Sequence, residues 1–374
     1  MQLSDLRTPS VLIDKTLLEA NVDRMQAAAA ARGIRLRPHA KTHKSVDLAR
    51  VQIARGAVGI CCAKLGEAEV FAAAGIEDIR LPYPINPANV DRVLRLLDAT
   101  RLSFIVDNLD VARAWSNSMR VNQREVDVLV KVDVGFHRCG IDPQAAGAAE
   151  MVARVAELPG LGFRGLLSHA GHGYGGASDA EIKQIAEEEA RTLTTLAADV
   201  ARLGVRVDEI SVGATPTARF SLQLEGITEI RPGNYIYFDR TQVALGAATW
   251  KDCALTVLAR VVSRPAADRL ILDCGSKTLS NDLARGFTPT PGHGVIFAAL
   301  DSPVPNEALT IERLSEEHAT VRVLEGQSPL RPGDLVRVLP NHSCVVSNLV
   351  DSVWLVNGST VLDELPVSAR GRIA

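Results

Sequence analysis

Short β-branched runs alternate with helical stretches through the first two thirds of the chain, and this alternation constrains the fold most. Eight runs have the pattern of strands: IRLRPH, AVGICCA, DIRLPY, LSFIVD, VDVLVKVD, FRGLLSHA, VDEISVG and ITEIRPG. Helical patterns lie between them, most clearly over residues 143–157 and 179–203. Strands that alternate with helices run parallel, because each helix returns the chain to the same edge of the sheet. The sequence therefore predicts an α/β fold, a (β/α)8 TIM-type barrel.

The pattern changes after about Gly246. Closely spaced strands and turns follow, with Pro-Gly and Asn-Gly pairs between them, which predicts a C-terminal antiparallel β-domain. The early run PSVLIDK is one strand too many for the barrel, so we expect it to pair with that domain. The predicted domains are a barrel over 14–245 and a β-domain formed by 1–13 plus 246–374.

Composition excludes several classes of protein. The chain has 374 residues, 47% of them hydrophobic, and a net charge of -3, typical of a globular protein. Its six cysteines form no CxxC pair, and no apolar run approaches the roughly 20 residues of a membrane span. Basic residues are scattered among acidic ones. We therefore expect no membrane or nucleic-acid partner and, because the start lacks signal-peptide features, a cytoplasmic location.

The run RPHAKTHK follows the first barrel strand and contains five potentially cationic side chains in eight residues. Catalytic groups of such barrels lie at the C-terminal ends of the strands, so Lys41 is expected in the mouth with cations on both sides. Neighbouring positive charge and partial burial predict a lowered pKa for Lys41, which Schiff-base chemistry requires. A solvated basic turn would have the same sequence.

Small residues follow the last two barrel strands, in SVGATPT (211–217) and RPGNY (231–235). Barrel enzymes often bind phosphate there through backbone N–H groups. A phosphate site and a lysine in one mouth indicate pyridoxal 5'-phosphate, PLP. Ordinary strand-to-helix loops are the alternative interpretation.

The segment LPNHSC places His342 and Cys344 two residues apart at the end of a predicted strand, where an extended backbone directs both side chains to one face. Imidazole and thiolate are suitable zinc ligands, and a buried Cys beside a structural His is the alternative. Lys277 is a further candidate for the site. Cys61 and Cys62 are interpreted as core residues, and residues 316–318 as a solvated turn.

Six patterns in this order resemble one enzyme family: RPHAKTHK, VDVGFHRCG, SHAGHGY, SVGATPT, RPGNYIYFD and PNHSC. The family is the D-threonine aldolase and D-serine dehydratase group, PLP enzymes with the alanine racemase fold. The resemblance implies that Lys41 is the PLP lysine, that Arg138 lies near a cofactor oxygen, and that Arg231 faces the pyridine nitrogen. The other cofactor-binding residues it implies are His39, His169, Ser211, Gly213, Thr215, Gly233, Asn234 and Tyr235.

The resemblance also implies a divalent metal on His342 and Cys344, and a head-to-tail homodimer. Several family members have Asp at the second metal position, so Cys344 favours zinc over manganese or magnesium. The implied substrate is a D-β-hydroxy-α-amino acid. The implied reactions are retro-aldol cleavage, with His169 or His172 as the base, and dehydration, in which Lys41 takes the Cα proton.

Particular sequence features distinguish the aldolase from three alternative functions. Features such as DCGSKTLSND favour the aldolase, while HAGHGY and the His-x-Cys pair favour a D-serine or D-3-hydroxyaspartate dehydratase. An alanine racemase uses a tyrosine from the partner's β-domain, and all four tyrosines here lie in the barrel portion, which disfavours that activity. A non-catalytic PLP carrier is a single barrel, so the residues after Gly246 argue against it.

Overall fold

The computed structural model describes residues 1–287, 291–324 and 328–374. The chain begins with strand β1 (Ser10–Asp14) and helix α1 (Lys15–Ala30), whose first turn is capped by the Asp14 carboxylate accepting from the Leu17 backbone N–H. The barrel strands follow: β2 (Arg35–Leu36), β3 (Ile60–Cys61), β4 (Asp78–Pro84), β5 (Arg101–Val106), β6 (Val126–Lys131), β7 (Leu161–Leu167), β8 (Glu209–Val212) and β9 (Glu229–Ile230).

These eight strands are parallel and form one sheet in the order β2-β9-β8-β7-β6-β5-β4-β3. The ends of this sheet meet between β2 and β3, where the Cys61 N–H donates to the Pro38 carbonyl over 2.8 Å and the Val58 N–H to the Leu36 carbonyl over 3.0 Å. All eight predicted strands are present, and the predicted (β/α)8 barrel is confirmed.

Helices connect the strands: α2 (Val46–Ala54), α3 (Leu65–Ala73), α4 (Val90–Ala99), α5 (Leu109–Val121), α6 (Ala148–Ala156), α7 (Asp179–Arg202), α8 (Thr215–Ser221) and α9 (Arg240–Ala244). Helix α7 matches its prediction to within one residue, with Ser178 as its N-cap. Helix α6 begins five residues later than predicted, because the Asp142 side chain accepts from the Gln144 N–H in a turn and Gly147 adopts a left-handed backbone, φ +86°.

The second domain contains β10 (Leu255–Ala266), β11 (Arg269–Leu272), α10 (Ser276–Leu279), β12 (Val295–Phe297), β13 (Leu309–Leu314), β14 (Ala319–Val323), β15 (Leu335–Leu339), α11 (Ser343–Leu349), β16 (Ser352–Asn357) and β17 (Thr360–Pro366). Strand β1 pairs antiparallel with β10, which confirms its predicted partner, and parallel with β16. The predicted antiparallel β-domain is therefore present, but the β1–β16 pair makes its sheet mixed. Strands β12, β13 and β17 were not predicted.

The chain returns to the barrel after β17. The Ala369 N–H donates to the Lys44 carbonyl over 2.8 Å, and the Gly66 N–H donates to the Ala374 carbonyl over 2.9 Å. Ala369 is fully buried against the barrel core. These last residues therefore pack on the barrel although they follow the β-domain in the sequence.

The barrel interior contains a network of ion pairs. Arg80 donates to Glu229 over 2.6 Å and to Glu209 over 2.9 Å, and Arg37 donates to Glu229 over 2.9 Å. Burial alone would raise the pKa of the Glu229 carboxyl, but the charges of Arg80 and Arg37 lower it to about 2. Glu229 is therefore ionised, and its charge is balanced by the two buried guanidinium groups. Among the described residues, no helix is both long and apolar enough to cross a membrane.

Candidate active site

A cavity of about 310 Å³ opens at the C-terminal ends of the barrel strands, and part of its wall comes from the β-domain. The structure brings eleven of the predicted site residues to this cavity: His39, Lys41, Arg138, His169, Gly213, Thr215, Arg231, Gly233, Asn234, His342 and Cys344. It does not place Ser211, Tyr235 or His172 on the cavity wall.

Lys41 lies in a single 3-10 turn, Ala40–Thr42, and its side chain is exposed toward the cavity. The turn is started by His39, whose Nδ1 accepts from the Lys41 backbone N–H over 3.4 Å. Burial lowers the pKa of His39, and the charges of Lys41 and Arg231 lower it further. His39 is therefore a neutral neighbour of the lysine at pH 7.

The other cations of RPHAKTHK do not gather around Lys41, so that part of the prediction is wrong. Arg37 pairs with Glu229 and Asp78 inside the barrel. His43 lies 3.2 Å from the Gln52 side chain, and the Lys44 ammonium lies 3.2 Å from the Glu67 carboxylate. Each of these side chains is buried with a partner of its own, so of the five potentially cationic residues in this run only His39 and Lys41 reach the cavity.

His169 is held in one orientation. Its Nδ1 bonds to the Gly213 carbonyl, which can only accept, so this nitrogen carries the proton and Nε2 is the unprotonated atom. The Phe136 ring meets the His169 imidazole edge-on, with 5.6 Å between the ring centroids. The Arg138 guanidinium stacks over the Phe136 ring, 5.1 Å from its centroid. Burial and the charges of Lys131 and Lys41 lower the pKa of His169.

His172 occupies a different position. Its ring lies 3.6 Å from the place of a Cβ on Gly135, outside the cavity wall, and burial lowers its pKa. Of the two histidines predicted as alternative bases, the structure therefore brings His169 to the cavity and leaves His172 behind the loop that carries Phe136.

Gly213 allows the loop after β8 to approach the loop after β9, and Gly233 allows the loop after β9 to approach the loop after β2. A Cβ on Gly213 would lie 3.1 Å from the Arg231 backbone nitrogen, and a Cβ on Gly233 would lie 2.8 Å from Thr42 Oγ1. Helix α8 begins at Thr215, after its N-cap Ala214, and apart from Pro216, which has no N–H, the backbone donors of the first helical turn have no acceptor within the helix. This side of the cavity therefore offers unshielded backbone donors to an anion.

Two predicted residues support this wall from behind. The Ser211 hydroxyl donates to Glu229 over 2.6 Å and accepts from Arg231 over 2.9 Å. The Tyr235 hydroxyl accepts from the Gln52 side chain over 2.9 Å, and burial raises its pKa. Arg231 is thereby tied to the barrel network while its side chain lines the cavity.

Sequence reasoning missed several lining residues. Lys131, the last residue of β6, is buried, and burial together with the charge of Arg231 lowers its pKa to about 7. A lysine inside the apolar run VDVLVKVD was the available signal for it. Tyr174 lies in a short turn after β7, and burial raises its pKa. Asp239 and Asp282 are the last residues of the patterns RPGNYIYFD and DCGSKTLSND but were not predicted as site residues, and Arg285 occurs in a segment without a recognisable motif.

The His342–Cys344 pair lies at a helix start rather than along a strand. Strand β15 ends at Leu339, His342 is the N-cap of α11, and Cys344 is in its first turn, so the predicted extended backbone through both residues is wrong. The helix start is docked on the barrel: the Ser343 N–H donates to Asp239 over 3.0 Å, and Cys344 Sγ lies 3.2 Å from Thr42 Oγ1.

The electrostatics of this pair favour a thiolate beside an imidazolium. Burial raises the pKa of the Cys344 thiol, but the hydrogen bond and charge of His342 lower it below its usual value. Burial lowers the pKa of His342, whereas Cys344, Asp239 and Asp282 raise it to about 10. Among the described residues, no group of three or more His, Cys, Asp or Glu side chains is arranged to hold a metal ion.

Three other predictions from the sequence concern residues that lie outside the cavity. Lys277 is exposed, lies 2.8 Å from both Glu316 and Glu317, and does not line the cavity, so its interpretation as a site residue is wrong. The solvated turn at residues 316–318 is confirmed by its exposure. Cys61 and Cys62 are fully buried core residues, as predicted.

A parallel barrel with a lysine after its first strand, closed by a β-domain, defines an enzyme of the alanine racemase type. Two family models match the chain: "Alanine racemase, N-terminal domain" over residues 13–241 and "Putative serine dehydratase domain" over residues 254–356. The chain belongs to the D-threonine aldolase and D-serine dehydratase-like family of PLP enzymes with the alanine racemase fold.

The similarity to characterised relatives extends over nearly the whole chain. A D-threonine aldolase of Arthrobacter is 34% identical over 375 residues, covering 99% of this chain and 94% of the relative. A D-serine dehydratase of Dictyostelium discoideum is 29% identical, covering 95% and 94%. The structure of D-threo-3-hydroxyaspartate dehydratase from Delftia superposes with a TM-score of 0.90 at 29% identity, covering 98% of each chain. The family thus includes both aldolases and dehydratases, all of them lyases, and PLP is its expected cofactor.

Proposed function

We propose that this protein is a PLP- and divalent-metal-dependent lyase that cleaves D-β-hydroxy-α-amino acids by a retro-aldol reaction, in the manner of a D-threonine aldolase. One observation carries the proposal: Lys41 from the barrel and the His342–Cys344 pair from the β-domain face the same cavity. The 34% identity to a D-threonine aldolase along the whole chain supports the aldolase.

The cavity has the chemistry that PLP needs. Its described lining includes five Lys or Arg side chains and two Asp side chains, an excess of positive charge suited to a phosphate. Arg231 Nε and Asn234 Oδ1 are buried without a hydrogen-bond partner among the described residues. Lys41 would bind the aldehyde carbon, and the phosphate would be held by Gly213, Thr215, Gly233 and Asn234. When bound, PLP withdraws electrons from the substrate's Cα.

The donor set at the other side of the cavity fits a soft divalent metal. A metal-binding thiol must be deprotonated, and the lowered pKa of Cys344 favours that form. Imidazole and thiolate together favour zinc over manganese or magnesium. With two protein ligands, coordination positions remain for water and for the substrate's β-hydroxyl, which a bound metal would polarise.

His169 is proposed as the base that takes the β-hydroxyl proton. Its pKa lies below the usual range, so the imidazole is neutral at pH 7, and its Nδ1 is already bonded to Gly213. The proton would therefore be accepted at Nε2. In this arrangement Gly213 and Phe136 act as positioning groups that hold the ring.

A D-serine or D-3-hydroxyaspartate dehydratase is the second candidate, because relatives with those activities match nearly as much of the chain. In that reaction Lys41 takes the Cα proton and hydroxide leaves from Cβ. A non-catalytic PLP carrier is not favoured, since the β-domain contributes His342 and Cys344 to the cavity. The head-to-tail homodimer remains part of this proposal.

The deciding experiment supplies the protein with PLP and with zinc or manganese, and follows four substrates: D-threonine, D-serine and their L-enantiomers. Glycine with acetaldehyde from D-threonine is the expected result. Keto acid and ammonia without glycine would replace the aldolase by the dehydratase. No turnover of D-threonine, of D-serine or of added D-3-hydroxyaspartate would overturn both candidates.

A further inference from the structure

Arg285 is a cation that the cofactor does not account for. It is the one Lys or Arg among the described lining residues that comes from the β-domain. Its guanidinium makes no hydrogen bond or ion pair with any part of the chain that the structure describes, and the side chain is exposed. By contrast, the Arg231 guanidinium donates to Ser211 and Ser168, and the Arg138 guanidinium stacks on Phe136.

The loop that carries Arg285 is fixed against the barrel. The Asn341 side chain donates to the Asp282 carbonyl over 2.9 Å, and the Arg285 N–H donates to Thr241 Oγ1 over 3.4 Å. A Cβ on Gly286, whose φ is +119°, would lie 2.8 Å from the Ala244 backbone, so only glycine permits this close approach. The guanidinium is therefore presented from an anchored backbone.

Arg285 lies in the same loop as Asp282, which contacts one of the proposed metal ligands. Three residues earlier in the same loop, Asp282 binds His342, which the proposed function assigns to the metal and thus to the substrate's β-hydroxyl. The neighbouring loop residue Leu283 also lines the cavity. Arg285 thus lies on the side of the cavity where the substituent on Cβ would lie.

We propose that Arg285 binds a carboxylate attached to Cβ, so that the preferred substrates are D-3-hydroxy dicarboxylic amino acids of the 3-hydroxyaspartate class. This inference rests on the proposed function and narrows it. A guanidinium and a carboxylate form two parallel charge-assisted hydrogen bonds, which a methyl substituent such as that of threonine cannot make.

The reaction balances with the substrate alone. The Cα–Cβ bond of 3-hydroxyaspartate breaks, its electron pair stays on Cα, and Cα takes up a proton to give glycine. The β-hydroxyl loses its proton and becomes the aldehyde oxygen of glyoxylate, and the β-carboxylate remains in that product on Arg285.

The kinetic test compares kcat/KM for D-threo- and D-erythro-3-hydroxyaspartate with kcat/KM for D-threonine in the PLP- and metal-loaded enzyme. We expect a preference of about tenfold or more for a hydroxyaspartate, because only its carboxylate forms a charge-assisted hydrogen bond with Arg285. Arg285→Met should reduce that ratio about tenfold, and Arg285→Lys should restore part of it. Lys277→Met, an exposed β-domain cation outside the cavity, is the matched control and should not change the ratio.

A binding test separates this inference from the proposed function, because it does not require turnover. Malate and the 3-hydroxybutyrate of matching configuration share a hydroxyl and a carboxylate one carbon further away, and only malate has a second carboxylate on the hydroxyl-bearing carbon. We expect malate to raise the Tm of the loaded protein more than 3-hydroxybutyrate does, and Arg285→Met to remove the difference. Equal stabilisation by both ligands, or an equal loss with both in Arg285→Met, would overturn the inference, whether or not any amino acid is cleaved.

Discussion

The Asp282 carboxylate accepts a 2.6 Å hydrogen bond from Nδ1 of His342, which fixes the ring and leaves Nε2 as the nitrogen that would bind a metal once it has lost its proton. Carboxylates that orient a metal-bound histidine commonly contribute ten- to a hundredfold to metal affinity. We expect Asp282→Asn to weaken zinc binding by that factor, measured by competition with a chromogenic chelator. Asp363→Asn, at an exposed site in β17, is the control, and unchanged affinity in Asp282→Asn would show that Asp282 does not position the ligand.

Removal of the His342 imidazole should abolish metal binding and leave PLP binding unchanged. We expect His342→Ala to lose the metal and at least about a hundredfold in lyase activity, since a bound cation supplies several kcal/mol of charge stabilisation. The absorbance of bound PLP should remain, because Lys41 and the glycine loops are intact. Activity, metal content and the visible spectrum are measured together. His318→Ala, in an exposed turn, is the control, and full activity in His342→Ala would remove the metal assignment.

The ion pairs inside the barrel should contribute strongly to stability. Glu229→Gln leaves Arg37 and Arg80 with one fewer buried counter-charge, and we expect a loss of about 3–5 kcal/mol in the free energy of unfolding at pH 7. The folded pKa of Glu229 is about 2, below the ordinary 4.5, so its contribution is complete above pH 4.5 and disappears between pH 4.5 and 2.

Urea unfolding at pH 7 and at the acid end of this range tests that pH dependence. The difference in the free energy of unfolding between the wild type and Glu229→Gln should become smaller as the pH falls from 4.5 to 2. Glu307→Gln, at an exposed position, should show no such difference. A difference that is constant from pH 7 to pH 2 would contradict the ionised state of Glu229.

Lys131 should lower stability at neutral pH. The pKa of Lys131 is about 7 in the folded chain, against an ordinary value of 10.5. As the pH falls, Lys131 therefore becomes protonated in the unfolded chain near pH 10.5 and in the folded chain only near pH 7. The folded state therefore loses stability as the pH falls from 10.5 to 7. We expect Lys131→Met to raise the free energy of unfolding of the apoprotein by a few kcal/mol at pH 7 and little at pH 10.5. Lys183→Met, on the exposed face of α7, is the control, and equal stability of Lys131→Met and the wild type at pH 7 would contradict the buried neutral amine.

The cavity residues that follow the barrel strands were predictable, because the C-terminal ends of parallel strands lie at the same opening of the barrel. That rule alone brings Lys41, Gly213 and Gly233 together although each lies in a different loop. The periodicity that predicts the barrel strands also locates these loops, so the barrel half of the cavity follows from local patterns.

The remaining features depend on contacts that local patterns do not encode. Arg37 pairs with Glu229, 192 residues away, and a cluster of charges in the sequence says nothing about such partners. Lys44 turns away from Lys41 because its backbone has φ +49°, which no residue preference predicts. Asp282 and Arg285 lie in a loop whose position is fixed by Asn341 and by the close approach of Gly286 to the barrel.

Thr42 and Cys344 are 302 residues apart in the chain and 3.2 Å apart in space. The cavity that both residues line exists only after both domains have folded and docked, and closing so long a loop comes late in folding. A refolding chain should thus recover its helical signal before Cys344 reaches Thr42. The contact between these two residues therefore marks the moment when the enzyme is assembled.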